Sequence, residues 1–151
     1  MITTQIEIAR PPSEVRKIFF DFENYPSWHG GMIKSIAPLP SSTSDTDPLS
    51  PSQKLHCVFE KFVFDAIITE NSGTTFQWRG PPVQGVTGLH SFAFEESKVT
   101  PGGTTFKHFE SFTGFPAFLL QPWLLGKEIK VGFEGFNRDL KKKAEAETSE
   151  G

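Results

Sequence analysis

The sequence predicts an α+β domain, a run of antiparallel strands with helices on one face, and three observations predict it. Residues 54–112 alternate apolar and polar side chains in segments separated by short turns, the period of strands with a buried face. Ile129, Phe133, Phe136 and Leu140 recur at helical spacing near the end of the chain. One strand pattern and one short helix pattern precede the run, which gives the order strand, helix, six strands, helix.

Thr3 to Ala9 alternate in strand fashion. Arg10-Pro-Pro-Ser-Glu-Val opens a helix, because proline is tolerated before or within a first turn, and Val15, Ile18, Phe19 and Phe22 give it an apolar face. It ends between Asn24 and Gly31, where Pro26 and two glycines break it. Met32 to Leu39 reads as the second strand. Pro38 to Ser52, rich in Pro, Ser, Thr and Asp, is a long solvated loop, too short to link domains. Strands follow at Lys54 to Lys61, Phe62 to Glu70 and Thr74 to Arg79, with Asn71-Ser-Gly as a turn before the last. Gly88 to Glu95 and Gly103 to Phe112 complete the run. Beyond Pro116 the pattern is helical, with Pro122 and Gly126 expected to break or kink its first part. The tail from Glu145 to Gly151 is expected to fray. Residues 1–151 read as a single domain without internal repeats.

Composition narrows the function classes. The net charge is -3 and the basic residues are scattered apart from Lys141-Lys142-Lys143, so no nucleic-acid footprint is present. Cys57 is alone, which excludes an internal disulfide and a cysteine-rich zinc site and fits a reducing compartment. No run of about 18 apolar residues and no secretory start occur, so a soluble, cytoplasmic protein without a membrane span is expected. The sequence has no phosphate-cradling glycine loop, Ser nucleophile elbow or short-range metal-ligand spacing, and we expect neither cofactor nor metal. With Phe 16 and Trp 3 against Tyr 1 and Met 2, much of the interior is aromatic; such rings either fill a core or line an apolar cavity.

The chemistry-bearing residues sit in the last two strand segments. His90, Phe92 and Phe94 share one face of the first, and Phe106, His108, Glu110 and Phe112 share one face of the second. Adjacent strands lie about 4.8 Å apart, close enough for a histidine and a carboxylate to pair. Burial lowers a histidine's proton affinity and raises a carboxyl's, whereas pairing opposes both shifts, so the group suits acid/base work near neutral pH. It also suits a satisfied polar network that fixes register, or an outward face. Asp65, opposite in parity to Phe62 and Phe64, is expected on the outer face. His56, Cys57 and Glu60 fit a half-exposed strand.

Six stretches carry a resemblance to a known family. They are Ile8-Ala-Arg-Pro-Pro-Ser-Glu-Val15, Phe22-Glu-Asn-Tyr-Pro-Ser-Trp28, Phe76-Gln-Trp-Arg-Gly80, Gly88-Leu-His-Ser-Phe-Ala-Phe94, Gly102 to Gly114, and Gly135-Phe-Asn-Arg-Asp-Leu-Lys141. Together with the element order they resemble the START-like, Bet v 1-like superfamily, in its polyketide cyclase/dehydrase (SRPBCC) branch. The resemblance implies a helix-grip fold, in which a curved antiparallel sheet wraps the last helix around an apolar cavity. It puts Trp28 and His29 in a loop edging the cavity mouth, where a solvated His29 is expected before a ligand contact.

The implied function is cyclisation of an extended, oxygenated apolar chain without a cofactor. His90 and His108 then form the acid/base pair, Glu110 orients or assists, and Phe76, Trp78, Phe92, Phe94, Phe106, Phe112, Trp28 and His29 shape the substrate site. A polyketide synthase is the partner this reading would bring, and exposed strand edges offer a route to a homodimer. Two alternatives remain at this level: a carrier of a hydrophobic ligand, and a partner-binding domain whose interior is filled by its own phenylalanines.

Overall fold

The computed structural model describes residues 1–40, 47–114 and 126–146. Seven strands form one antiparallel sheet: β1 (Ile2–Ile8), β2 (Ile33–Pro38), β3 (Lys54–Phe59), β4 (Val63–Asn71), β5 (Thr75–Arg79), β6 (Thr87–Glu96) and β7 (Thr104–Thr113). Strands β2 to β7 follow one another as a meander, and β1 closes the far side against β7, giving the order β1-β7-β6-β5-β4-β3-β2. The curved sheet grips the long C-terminal helix α2 (Gly126–Ala146), which packs on β1 and β7. This is the helix-grip architecture expected from the sequence.

Two short helical pieces bridge β1 and β2, which lie on opposite edges. Helix α1 (Pro12–Phe20) starts with proline in its first turn and buries Val15, Ile18 and Phe19. It is shorter than the apolar spacing predicts, since Phe22 belongs to a separate 3-10 turn (Phe22–Ser27) that contains Pro26 and buries Phe22 and Tyr25. The Tyr25 hydroxyl donates to the Phe19 carbonyl at 2.5 Å, which ties the turn back to the end of α1.

Phe19 is the hub of the core. Its ring meets those of Phe76, Phe92, Phe94, Phe106 and Phe136 at centroid distances of 4.6 to 6.3 Å, so α1, β5, β6, β7 and α2 converge on one buried side chain. Edge-to-face and tilted contacts dominate, as the ring quadrupoles favour.

In α2, Phe133, Phe136, Leu140 and Ala144 are buried, whereas Ile129 is half-buried. Gly126 is the first described residue of this helix, so the break or kink expected there involves residues outside the described ones. Pro122, residues 41–46 of the predicted loop and residues 147–151 of the predicted tail lie outside the described residues. No described helix is long and apolar enough to cross a membrane.

Candidate functional site

Register delivers the polar groups to one place. On β6 and β7, His90 faces Glu110 and Phe92 faces His108 as direct cross-strand partners; on β1, Thr4 is the direct partner of His108. Helix α2 adds Asn137, which shares the apolar stripe of Phe133, Phe136 and Leu140.

A connected polar chain results inside the aromatic core. The Nε2 atoms of His90 and His108 are 2.6 Å apart, with the rings 23° from coplanar and their centroids 4.8 Å apart, an edge-to-edge hydrogen bond. His108 Nδ1 is 3.0 Å from Asn137 Oδ1, Asn137 Nδ2 donates to Thr4 Oγ1 at 2.8 Å, and the Thr4 hydroxyl donates to the His108 carbonyl at 2.7 Å. At the other end His90 Nδ1 lies 3.4 Å from Glu110 Oε2. Phe133 stacks on the His108 ring at 4.0 Å and 11°, and Trp78 and Phe92 flank His90 at 4.9 and 4.8 Å.

Burial sets the charge of the cluster. Desolvation pushes His90 well below the ordinary imidazole value, with the facing His108 adding to the shift. Desolvation likewise takes His108 down to about 3, against the opposing hydrogen bonds from Asn137 and the Phe133 backbone. Glu110 is pushed up to about 8 by burial. Near neutral pH the three groups are therefore predominantly uncharged, which removes the cost of holding ions in an apolar interior. Glu110 alone of the three reaches solvent appreciably, its side chain being 17% exposed against 4% for His90. Its carboxyl lies over Gly88, where a Cβ would collide with Oε1, and Phe112 is beside it, half-buried.

The other residues expected at the site divide in two. Trp78 and Phe92 belong to the histidine cluster, whereas Phe76, Phe94 and Phe106 pack around Phe19 at the opposite end of the same face. Trp28 is half-buried against Tyr25 and Phe136. His29 is not solvated as expected: it is 4% exposed, with Nδ1 2.8 Å from Asp139 of α2 and Nε2 accepting the Ile33 N–H at 3.1 Å. The two glycines after it suggest an open loop, but the ring satisfies polar groups of two elements and so turns inward.

Asp65 is on the outer face as expected, paired with His56 at 2.8 Å. His56 therefore stands apart from the cluster, and no described group of three or more ligating side chains could hold a metal ion. Cys57 is buried, and desolvation followed by the nearby Asp65 raises its thiol to about 12, leaving it inert as a nucleophile.

The sequence reading missed Thr4 and Asn137. Each left a signal: Thr4 is the polar member of the series Ile2, Thr4, Ile6, Ile8, and Asn137 interrupts the apolar stripe of α2 four residues after Phe133.

Comparison with known proteins places this architecture. A family model described as polyketide cyclase/dehydrase and lipid transport matches residues 1–145. The chain belongs to this family. No curated protein matches it. Among solved structures, it is similar to a START superfamily protein from Mycobacterium smegmatis, with 18% identity, TM-score 0.68 and coverage of 96% of this chain and 97% of that one. The di-domain ARO/CYC StfQ from the steffimycin biosynthetic pathway gives 13% identity and TM-score 0.65, over 99% of this chain and 46% of that one. A point mutant of norcoclaurine synthase from Thalictrum flavum, in complex with a transition-state analogue, gives 8% identity and TM-score 0.67, over 97% and 94%. At these identities the three structures establish a shared fold. The polyketide cyclase/dehydrase and lipid transport family thus supplies the frame in which the polar cluster sits.

Proposed function

We propose that this family member binds an apolar, oxygen-bearing chain of polyketide type and promotes its ring closure, with Glu110 as the group that exchanges protons with the substrate. One observation carries the reading: a neutral carboxyl stands at the accessible end of a buried, uncharged histidine pair. This reading exchanges the roles expected from sequence. Both nitrogens of each histidine face protein partners, so the rings stand behind Glu110 and do not themselves meet the substrate.

A neutral carboxyl can act at both of its oxygens. One donates its proton to the carbonyl oxygen of the electrophile while the enol carbon attacks; the other takes the enol proton, so a carbon–carbon bond forms and Glu110 returns to its starting state. Folding the flexible chain into an attack geometry supplies much of the rate, and a low-dielectric surround strengthens the hydrogen bond to the developing oxyanion. Loss of water from the aldol then gives the aromatic or unsaturated ring.

The test is product analysis of a linear poly-β-keto thioester incubated with the wild type and with Glu110→Gln. Formation of a cyclic product by the wild type, and its loss in a folded Glu110→Gln that still binds the substrate, is the expected result. Equal turnover by the two proteins overturns the assignment. The family description also covers lipid transport, and this second reading predicts an unmodified lipid retained through purification, visible by native mass spectrometry, with no product formed.

A further inference from the structure

The direction of every hydrogen bond in the buried chain is fixed by its last acceptor. A backbone carbonyl only accepts, so the Thr4 hydroxyl must donate to the His108 carbonyl. Having used its proton there, Thr4 Oγ1 accepts from Asn137, which places the amide nitrogen on that side and the amide oxygen towards His108. Asn137 Oδ1 then requires a proton on His108 Nδ1, leaving His108 Nε2 bare in the neutral ring. The 2.6 Å contact needs one proton, and this must come from His90 Nε2. His90 Nδ1 is therefore the bare nitrogen, and it is the atom that looks at Glu110.

We propose that Thr4 and Asn137 are positioning residues that hold Glu110 protonated, acting through the tautomers of His108 and His90. A bare imidazole nitrogen repels a carboxylate and tolerates or accepts from a carboxylic acid; a ring N–H in the same place would stabilise the ionised form instead. The outcome at Glu110 is thus decided on β1, two strands from His90. Thr4 and Asn137 are buried, at 6% and 2% exposure, and meet protein atoms. The groups facing Glu110 agree with the assignment: His90 from β6, His108 on its own strand, Ile2 opposite it on β1, and Gly88 and Phe112 beside the carboxyl. Helix α2 presents Asn137 and both the ring and the backbone of Phe133 to the histidines, the Phe133 backbone hydrogen bond to His108 acting in the same sense as that of Asn137, and the nearby His29, which bears on His108, is engaged by Asp139. Burial, with no cation beside the carboxyl among the described residues, drives Glu110 in the same direction.

This inference rests on the reading of Glu110 as a proton donor but is tested without turnover. Long-range ¹H–¹⁵N correlation of the imidazoles in the wild-type protein at pH 7 should show His108 protonated at Nδ1 and His90 at Nε2. The reverse pattern overturns the proposal outright, and no variant is needed to see it. Thr4→Val keeps the shape of the side chain and removes both hydrogen bonds, so the Asn137 amide loses its preferred orientation. The tautomer populations at both rings should shift, against the hydrogen bond that His108 keeps with the Phe133 backbone, together with a fall of up to about one pH unit in the Glu110 midpoint followed by side-chain carboxyl ¹³C shift, at most a tenfold change in the protonation equilibrium. Thr4→Ser, which retains the hydroxyl, should keep the wild-type pattern. A folded Thr4→Val with wild-type tautomers and an unchanged Glu110 midpoint overturns the proposal; if that variant does not fold, the wild-type tautomers decide it. Absence of ring-closing activity with the expected tautomers would reject the catalytic reading and leave this one standing.

Discussion

His90 and Glu110 are direct cross-strand partners whose Nδ1 and Oε2 atoms are 3.4 Å apart, and burial shifts the two groups in opposite senses, the imidazole down and the carboxyl up. An ion pair would bring the shifts the other way, so this is a contact between neutral partners.

Glu110 therefore makes the folded state sensitive to alkali. Its folded pKa of about 8 lies above the ordinary carboxyl value of 4.5, so the folded protein binds the extra proton and stability falls as pH rises from 4.5 through 8. Glu110→Gln removes the titration while keeping size and polarity. We expect the variant to gain thermal stability relative to the wild type at pH 8 and to show little relative gain at pH 4.5. Melting curves at the two pH values check this, and an equal difference at both would contradict it.

The histidines impose the opposite slope. Their folded pKa values lie below 6.5, so the unfolded chain takes up protons first and stability falls as pH drops from 6.5 towards 3. Between pH 4.5 and 6.5 both slopes act, and two imidazoles outweigh one carboxyl, so the cluster's contribution to stability peaks near pH 6.5 and falls on either side. His108→Gln should lower stability at pH 7, because its network is broken, yet flatten the acid limb between pH 6.5 and 4. Urea titrations across that range measure both effects.

Much of this site was legible in the alternation of β6 and β7, because a strand's period places His90, His108 and Glu110 on the aromatic face without any knowledge of the fold. Their partners were not. Thr4 and Asn137 stand 104 and 29 positions from His108, and only the closure of β1 against β7 and the laying of α2 across both brings them together. Each does break an apolar pattern, a signal that names a buried polar residue without naming its partner. His29 misled for a related reason: a Gly-rich neighbourhood describes the backbone, whereas Asp139, 110 positions away, decides where the ring goes.

The His29 bridge predicts a stability effect separate from the cluster. His29→Ala strips the Ile33 N–H of its acceptor and Asp139 of its donor, a loss of about 1–3 kcal/mol for an unsatisfied buried group. Asp139→Asn keeps an acceptor oxygen, and with the carboxyl side chain 38% exposed the cost should stay below about 1 kcal/mol. Chemical denaturation of the two variants ranks them; equal losses would mean that the Ile33 hydrogen bond contributes nothing.

Gly88 offers a test of where the Glu110 carboxyl sits. A Cβ at position 88 would collide with Oε1, and its next neighbour outside that carboxyl is Phe112 Cε1 at 3.5 Å, an ordinary contact. Gly88→Ala in the wild-type background should therefore push the carboxyl away from His90, at a cost of up to about 1 kcal/mol because the obstacle is the end of a flexible side chain. In a Glu110→Ala background the obstacle is gone, and alanine, which loses less chain entropy than glycine in a strand, should be neutral or stabilising. The double-mutant cycle then yields a coupling of about 0.5 kcal/mol or more between the two positions. Additive losses would place the carboxyl elsewhere, and with it the accessible acid on which the proposed chemistry depends.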